Sequence, residues 1–112
     1  MKSSQSLSPD RYFVFQNYPN PFNPRTRIQF SIPEEVKVTI KVYDVLGNEV
    51  MELVNDKREV GNYEVEFDGS GLNSGIYFYT FRAGEYVSTK KMILVKWSNL
   101  INRAISPTIR GE

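Results

Sequence analysis

The sequence predicts an all-β fold, an immunoglobulin-like antiparallel β-sandwich of about seven strands with room for a short C-terminal helix. Three observations carry this. Between Tyr12 and Lys96 the chain is a series of short segments in which apolar and polar residues alternate with period two, the pattern of strands with one wet face. Clusters of glycine, proline, asparagine and aspartate separate these segments. The stretch Asn17-Tyr18-Pro19-Asn20-Pro21-Phe22-Asn23-Pro24 carries three prolines, and no regular element can contain it. Each proline fixes φ, removes a backbone donor and pushes the preceding residue toward an extended conformation. A five-stranded barrel would need fewer strands and usually a helix.

Residues 1–11 are serine-rich and nearly free of large apolar groups, the composition of a flexible linker. Tyr12 to Gln16 is aromatic and β-branched and reads as a short edge strand entering the proline stretch. That stretch is expected to be a stiff strap, with the rings of Tyr18 and Phe22 laid on apolar surface, carrying the chain from one sheet to the other. Arg25 to Ile32 then places Ile28, Phe30 and Ile32 on one face. After a turn at Pro33-Glu34-Glu35, Val36 to Tyr43 repeats the alternation with β-branched residues inward.

Asp44 to Glu49 is a turn around Gly47-Asn48, leading to a short strand from Val50 to Val54 and a solvated connection, Asn55-Asp56-Lys57-Arg58-Glu59. Asn62 to Phe67 alternates again, with Tyr63, Val65 and Phe67 on one side. The loop Asp68 to Gly75 holds Gly69, Gly71 and Gly75, and the aromatics on both faces of Ile76 to Arg82 place that strand centrally. A tight turn at Ala83-Gly84-Glu85 returns the chain as the last strand, Tyr86 to Lys96. In the tail, residues 97–112, Trp97, Leu100 or Ile101, and Ala104 or Ile105 recur at helical spacing. A helix this short docks on the sandwich, self-associates with another copy, or frays. The organisation is therefore a linker (1–11), a sandwich (12–96) and a tail (97–112).

The chain has 112 residues, enough for one core that buries roughly 60 to 70% of the unfolded surface. It has no cysteine and no histidine, which excludes disulfides and thiolate chemistry and removes the commonest general base and zinc ligand. Fourteen basic and thirteen acidic side chains, mixed along the chain, leave a net charge of +1 and no electrostatic footprint for nucleic acid or an anionic membrane. No stretch approaches the ~20 apolar residues of a membrane span, and the first residues lack the apolar run of a signal peptide.

Constellations that could carry chemistry are poor. Ser88 or Thr89 beside Lys90 and Lys91 is a Ser/Lys pair only on paper, because neighbouring residues of a strand point to opposite faces. Asp68-Gly69-Ser70-Gly71 faintly resembles a calcium loop, yet it offers a single carboxylate where hard cations need six or more oxygens, so a turn is the better reading. Tyr77, Tyr79, Tyr86 and Trp97 could form a stacking platform for sugars, although core packing of Tyr77 and Tyr79 is the more ordinary account. Lys90, Lys91 and Lys96 form a basic patch that either blunts a sheet edge or is read by a partner. The expectation is a protein without catalytic residues, cofactor or metal.

Five motifs stand in order along the chain: Asn17 to Pro24, Thr26-Arg27-Ile28-Gln29-Phe30, Val42-Tyr43-Asp44-Val45-Leu46-Gly47, Leu72-Asn73-Ser74-Gly75-Ile76-Tyr77-Phe78, and Lys90-Lys91-Met92-Ile93-Leu94-Val95-Lys96. In order and spacing they resemble the type A C-terminal sorting domain of the type IX secretion system, over residues 13–96. Hook-capping proteins carry a related immunoglobulin-like module. The resemblance implies a non-catalytic address label at the end of a larger secreted precursor from Bacteroidetes and related phyla. By the same resemblance, such a precursor is expected to reach the periplasm behind a signal peptide and to be recognised through this domain by an outer-membrane translocon, and a surface sortase is expected to remove the domain and attach the fused upstream cargo at the cell surface. By position, Pro19, Asn20, Pro21, Phe22, Asn23, Pro24, Gly75, Tyr77, Lys91 and Lys96 match the sorting motifs. Two other readings remain open: a carbohydrate-binding accessory module, on the aromatic count, and a structural module assembled through the tail.

Overall fold

The computed structural model describes residues 9–96, so the predicted tail helix and the self-association expected through residues 97–112 lie outside the described residues, as does Trp97. Alternation in the sequence becomes seven strands: β1 (Phe13–Val14), β2 (Arg25–Ile32), β3 (Val36–Tyr43), β4 (Glu49–Arg58), β5 (Gly61–Asp68), β6 (Gly75–Ala83) and β7 (Tyr86–Leu94). No helix occurs among the described residues. The strands form two antiparallel sheets, of order β1-β2-β5 and β4-β3-β6-β7. The two sheets make a β-sandwich whose grouping, β2 and β5 in one sheet and β3, β6 and β7 in the other, is consistent with an immunoglobulin-like arrangement, with β4 on the second sheet.

The inward residues of the alternating segments meet between the sheets. Ile28 and Phe30 of β2 and Phe67 of β5 face Val38, Ile40 and Val42 of β3, Tyr79 and Phe81 of β6, and Met92 and Leu94 of β7, all essentially without solvent exposure. The rings of Phe30 and Phe81 join the layers at 5.2 Å between centroids. Each fully buried side chain of this size contributes roughly 1.5–3 kcal/mol.

Three expectations are corrected. Asn55 to Arg58 is not a connection but the second half of β4, pairing with Val36 to Thr39 in the register Val36↔Arg58 and Thr39↔Asn55. A polar run reads as loop in sequence, yet an edge strand can be polar along much of its length. β4 is such an edge, and two register shifts, at Ile40/Lys41 and Val42/Tyr43, kink it further. The link to the other sheet shrinks to Glu59 and Val60.

The strap does not carry the chain between sheets, because it leaves β1 and returns to β2 in the same sheet. On the way it runs beside the outer edge of β7. The Phe22 amide donates to Ile93 O at 2.9 Å, and the Val95 amide donates to Phe22 O at 2.8 Å. The Phe22 ring turns inward against Phe67, 5.7 Å between centroids. One residue thus ties both sheets together, its backbone on one and its ring on the other. Tyr18, expected to lie ring-down, is instead 78% exposed. Its backbone explains why: Tyr18 and Arg27 exchange two hydrogen bonds at 2.9 and 3.0 Å, which fixes the main chain and leaves the ring outside.

Candidate functional site

Beneath the strap lies a buried polar knot. Asn17 and Thr26 are 2% and 1% exposed. The Asn17 side-chain amide donates to Pro19 O at 3.1 Å and to Thr26 Oγ1 at 3.0 Å, and the Thr26 hydroxyl donates to Pro19 O at 2.8 Å. Gln16 Nε2 reaches both Asn17 Oδ1 and Lys91 O at 2.7 Å. Tyr79, buried on β6, donates its hydroxyl to Phe15 O at 2.7 Å. Burial pushes its pKa up to about 12, with the Asn17 main-chain amide pulling the other way. A segment whose prolines leave few amides for a ladder is thereby held by side chains. Asn20 Oδ1 extends this by accepting the Ile93 amide at 2.9 Å, doing for the edge of β7 what a neighbouring strand would do.

At the far side of the same end, Tyr77 sits near the start of β6 with 8% exposure and donates its hydroxyl to Asn73 O at 2.7 Å. This is the tyrosine-corner arrangement of immunoglobulin-like sandwiches, in which a ring buried at the inter-sheet loop anchors that loop from above. Burial, and then the charge of Asp44, hold its pKa above the ordinary value. Gly75 precedes it with φ 155°, a backbone region that side chains rarely adopt.

The β3–β4 turn is rigid as well. Asp44 Oδ1 accepts the amides of Leu46 and Asn48, both at 2.9 Å, while the Asp44 amide donates to Asn48 O and Gly47 takes φ 89°. These bonds, the Asn48 amide foremost, hold the Asp44 carboxyl below its usual range.

Strand register brings these pieces to one end of the sandwich. Tyr43 at the end of β3 pairs with Phe78, Gly75 pairs with Leu94, and Asp68 at the end of β5 pairs with Arg25, directly after the strap. The Gly69 amide donates to Pro24 O at 2.8 Å. Lys96 closes the end: its amide takes Ser74 Oγ at 3.0 Å and its ammonium Ser70 O at 2.7 Å. Pro19, Pro21, Phe22, Asn23 and Val95 frame an open hollow of about 280 Å³.

The residues singled out by sequence are thus neighbours, but in different roles. Pro19, Asn20, Pro21 and Asn23 are exposed, Pro24 is half-buried, and Phe22 and Tyr77 are core. Lys91 is exposed, whereas Lys96 is half-buried and spends its charge on a loop carbonyl. Asn17 and Thr26, which stand in the motifs, and Gln16, which does not, hold the strap but are not among the residues matched to the sorting site. Thr26 left a signal, since it shares the inward face with Ile28 and Phe30.

The other constellations come apart. Tyr77 and Tyr79 lie in the core and Tyr86 is stacked on Tyr12 at 5.9 Å, so the suggested sugar platform is not assembled from them. Asp68 accepts the Ser70 amide and hydroxyl and pairs with Arg25 at 3.4 Å, which is turn chemistry. Ser70 foremost, and then Arg25, keep its pKa low. No cluster of metal-ligating side chains occurs among the described residues.

The family model of the secretion system C-terminal sorting domain matches residues 16–96, more than half of the chain. The chain belongs to that family, the type IX secretion C-terminal sorting domains. No curated protein and no solved structure matches it. The match begins at Gln16, where the strap's hydrogen bonding begins, and ends at Lys96, which closes the loop end. Sorting domains of this family are in general non-catalytic signals for export to the cell surface or secretion, carried on larger precursors that engage the secretion machinery.

Proposed function

We propose that this sorting domain is read as a folded shape by the outer-membrane translocon and then by a surface sortase, with Pro19, Asn20, Pro21, Phe22, Asn23, Pro24, Gly75, Tyr77, Lys91 and Lys96 building the element that is read. The observation that carries the proposal is the convergence of strap, tyrosine corner and closing lysine on one end of the sandwich. A label must be recognised after its cargo has folded, so it needs a rigid surface that does not depend on the cargo, and side-chain hydrogen bonds supply that rigidity here.

Phe22, Gly75 and Tyr77 set the shape, while Asn20, Asn23 and Lys91 present polar atoms on it. In a bacterium with this secretion system, the full chain fused behind a periplasm-targeted reporter is expected to bring the reporter to the cell surface. A reporter retained in the periplasm overturns the proposal.

A further inference from the structure

The two outer faces of the sandwich differ in a way that the fold itself does not require. On the three-stranded sheet the outward residues of β2 and β5 are charged or polar and neutralise one another, with Arg25–Asp68 at 3.4 Å and Arg27–Glu64 at 3.6 Å. On the four-stranded sheet the inward positions of β6 are Tyr77, Tyr79 and Phe81, so Ile76, Phe78 and Thr80 point outward. Register places Ile76 beside Ile93, and Phe78 between Tyr43 and Lys91. Ile76 is 41% exposed, and none of Tyr43, Ile76, Phe78 and Ile93 belongs to the core cluster or packs against it.

The next row, Lys41, Thr80 and Thr89, is polar, so the apolar patch is confined to the end where the sorting motifs meet. Lys91 stands at its rim. Lys41 pairs with Glu49 and Glu52, and Lys57 with Glu35, but Lys91 makes no ion pair among the described residues.

We infer that this apolar patch, with Lys91 at its rim, is the surface on which a protein of the export machinery docks, through an apolar centre and a carboxylate placed opposite Lys91. The inference rests on the sorting function proposed above and names the surface through which it acts. An apolar centre with a charge at the edge is the anatomy of a protein interface. Among the described residues the Lys91 ammonium meets no carboxylate, which favours an acidic partner surface. A second copy of this chain is the poorer occupant, because a two-fold contact through so small a patch brings the two Lys91 side chains together.

The test uses the full chain fused to the exported reporter, with Ile76→Glu, Lys91→Glu and, on the opposite sheet, Gln29→Ala. Surface reporter is expected to fall by roughly tenfold or more for the first two, as for interface hot spots, and to stay level for the third. Melting temperatures are expected to be unchanged, because the substituted side chains are exposed. If the unsubstituted fusion stays in the periplasm, the sorting function itself fails. If it is exported and both variants are exported equally well, only the docking surface fails.

Should either variant melt lower, Lys91→Gln decides, since it removes only a charge: undiminished export overturns the inference and diminished export supports it. Sedimentation of the isolated chain covers the second copy, and a dimer abolished by Ile76→Glu overturns the inference. An apolar dye that binds only after residues 97–112 are removed would assign the patch to the tail and also overturn it.

Discussion

The Tyr77 hydroxyl is one anchor of the β5–β6 loop, holding it at Asn73. The ring of Tyr77 would pack equally well as phenylalanine, but Asn73 O would lose its donor. Tyr77→Phe is expected to destabilise the domain by about 1–2 kcal/mol in urea unfolding, with the slope of the transition unchanged. Two carboxylates act in the same way and carry a sign. Asp44 and Asp68 are held below the ordinary value by the amides and hydroxyl they accept, so the unfolded chain binds protons more readily than the folded one. Their contribution is present above the unfolded pKa, near 4, and is lost as pH falls through the folded values. Melting temperature should therefore drop on the acid side, and Asp44→Asn with Asp68→Asn should flatten that drop. Tyr79 has the opposite sense. Its raised pKa, about 12, means stability is full below the unfolded value near 10 and is lost as pH climbs between the two. In an alkaline absorbance titration its phenol should resist ionisation until pH approaches 12.

At the scale of elements, the strap and β7 stabilise each other. A strand at a sheet edge exposes unpaired amides and carbonyls, and the strap covers the last part of β7 with the Asn20 side-chain oxygen, the Phe22 backbone and the Gln16 side chain. Phe22→Ala removes the ring that binds the strap to Phe67 and should cost about 3–5 kcal/mol, measured by chemical unfolding. Asn20→Ala leaves the ring in place and removes only the acceptor for the Ile93 amide. Its signature should be local: hydrogen exchange at Ile93 accelerates by roughly tenfold while core amides of β3 and β6 keep their protection. If core exchange rose in parallel, the strap would be part of the global unfolding unit and not a separate cover.

The whole molecule is joined where β5, the strap and β7 meet, and Gly69 occupies that junction. A Cβ built there would lie 3.0 Å from Leu94 Cδ2 and 3.4 Å from Pro24 O. In Gly69→Ala the Leu94 methyl must give by a few tenths of an ångström inside a packed core, an overpacking expected to cost about 1–3 kcal/mol. Because the Phe30–Phe81 and Phe22–Phe67 contacts couple both sheets, far-ultraviolet dichroism and tyrosine fluorescence should report one shared transition, shifted together in this variant. The same coupling suits a sorting label, since one end of a cooperative sandwich keeps its shape whatever cargo precedes it.

Period-two alternation by itself determined the strands other than the second half of β4, the inward set and the two-layer class, because each such strand buries one face whatever its partner. The ordered motifs determined the family. The tertiary structure alone decided the rest. Asn55 to Arg58 became strand because β3 presented an unpaired edge to them. The strap returned to its own sheet because Phe22 found β7 on one side and Phe67 on the other. Asn17 and Thr26 became a buried knot because residues nine positions apart were folded face to face. Alternation is a property of one segment and can be read along it, whereas edges, junctions and outward patches exist only once segments from distant parts of the chain lie side by side.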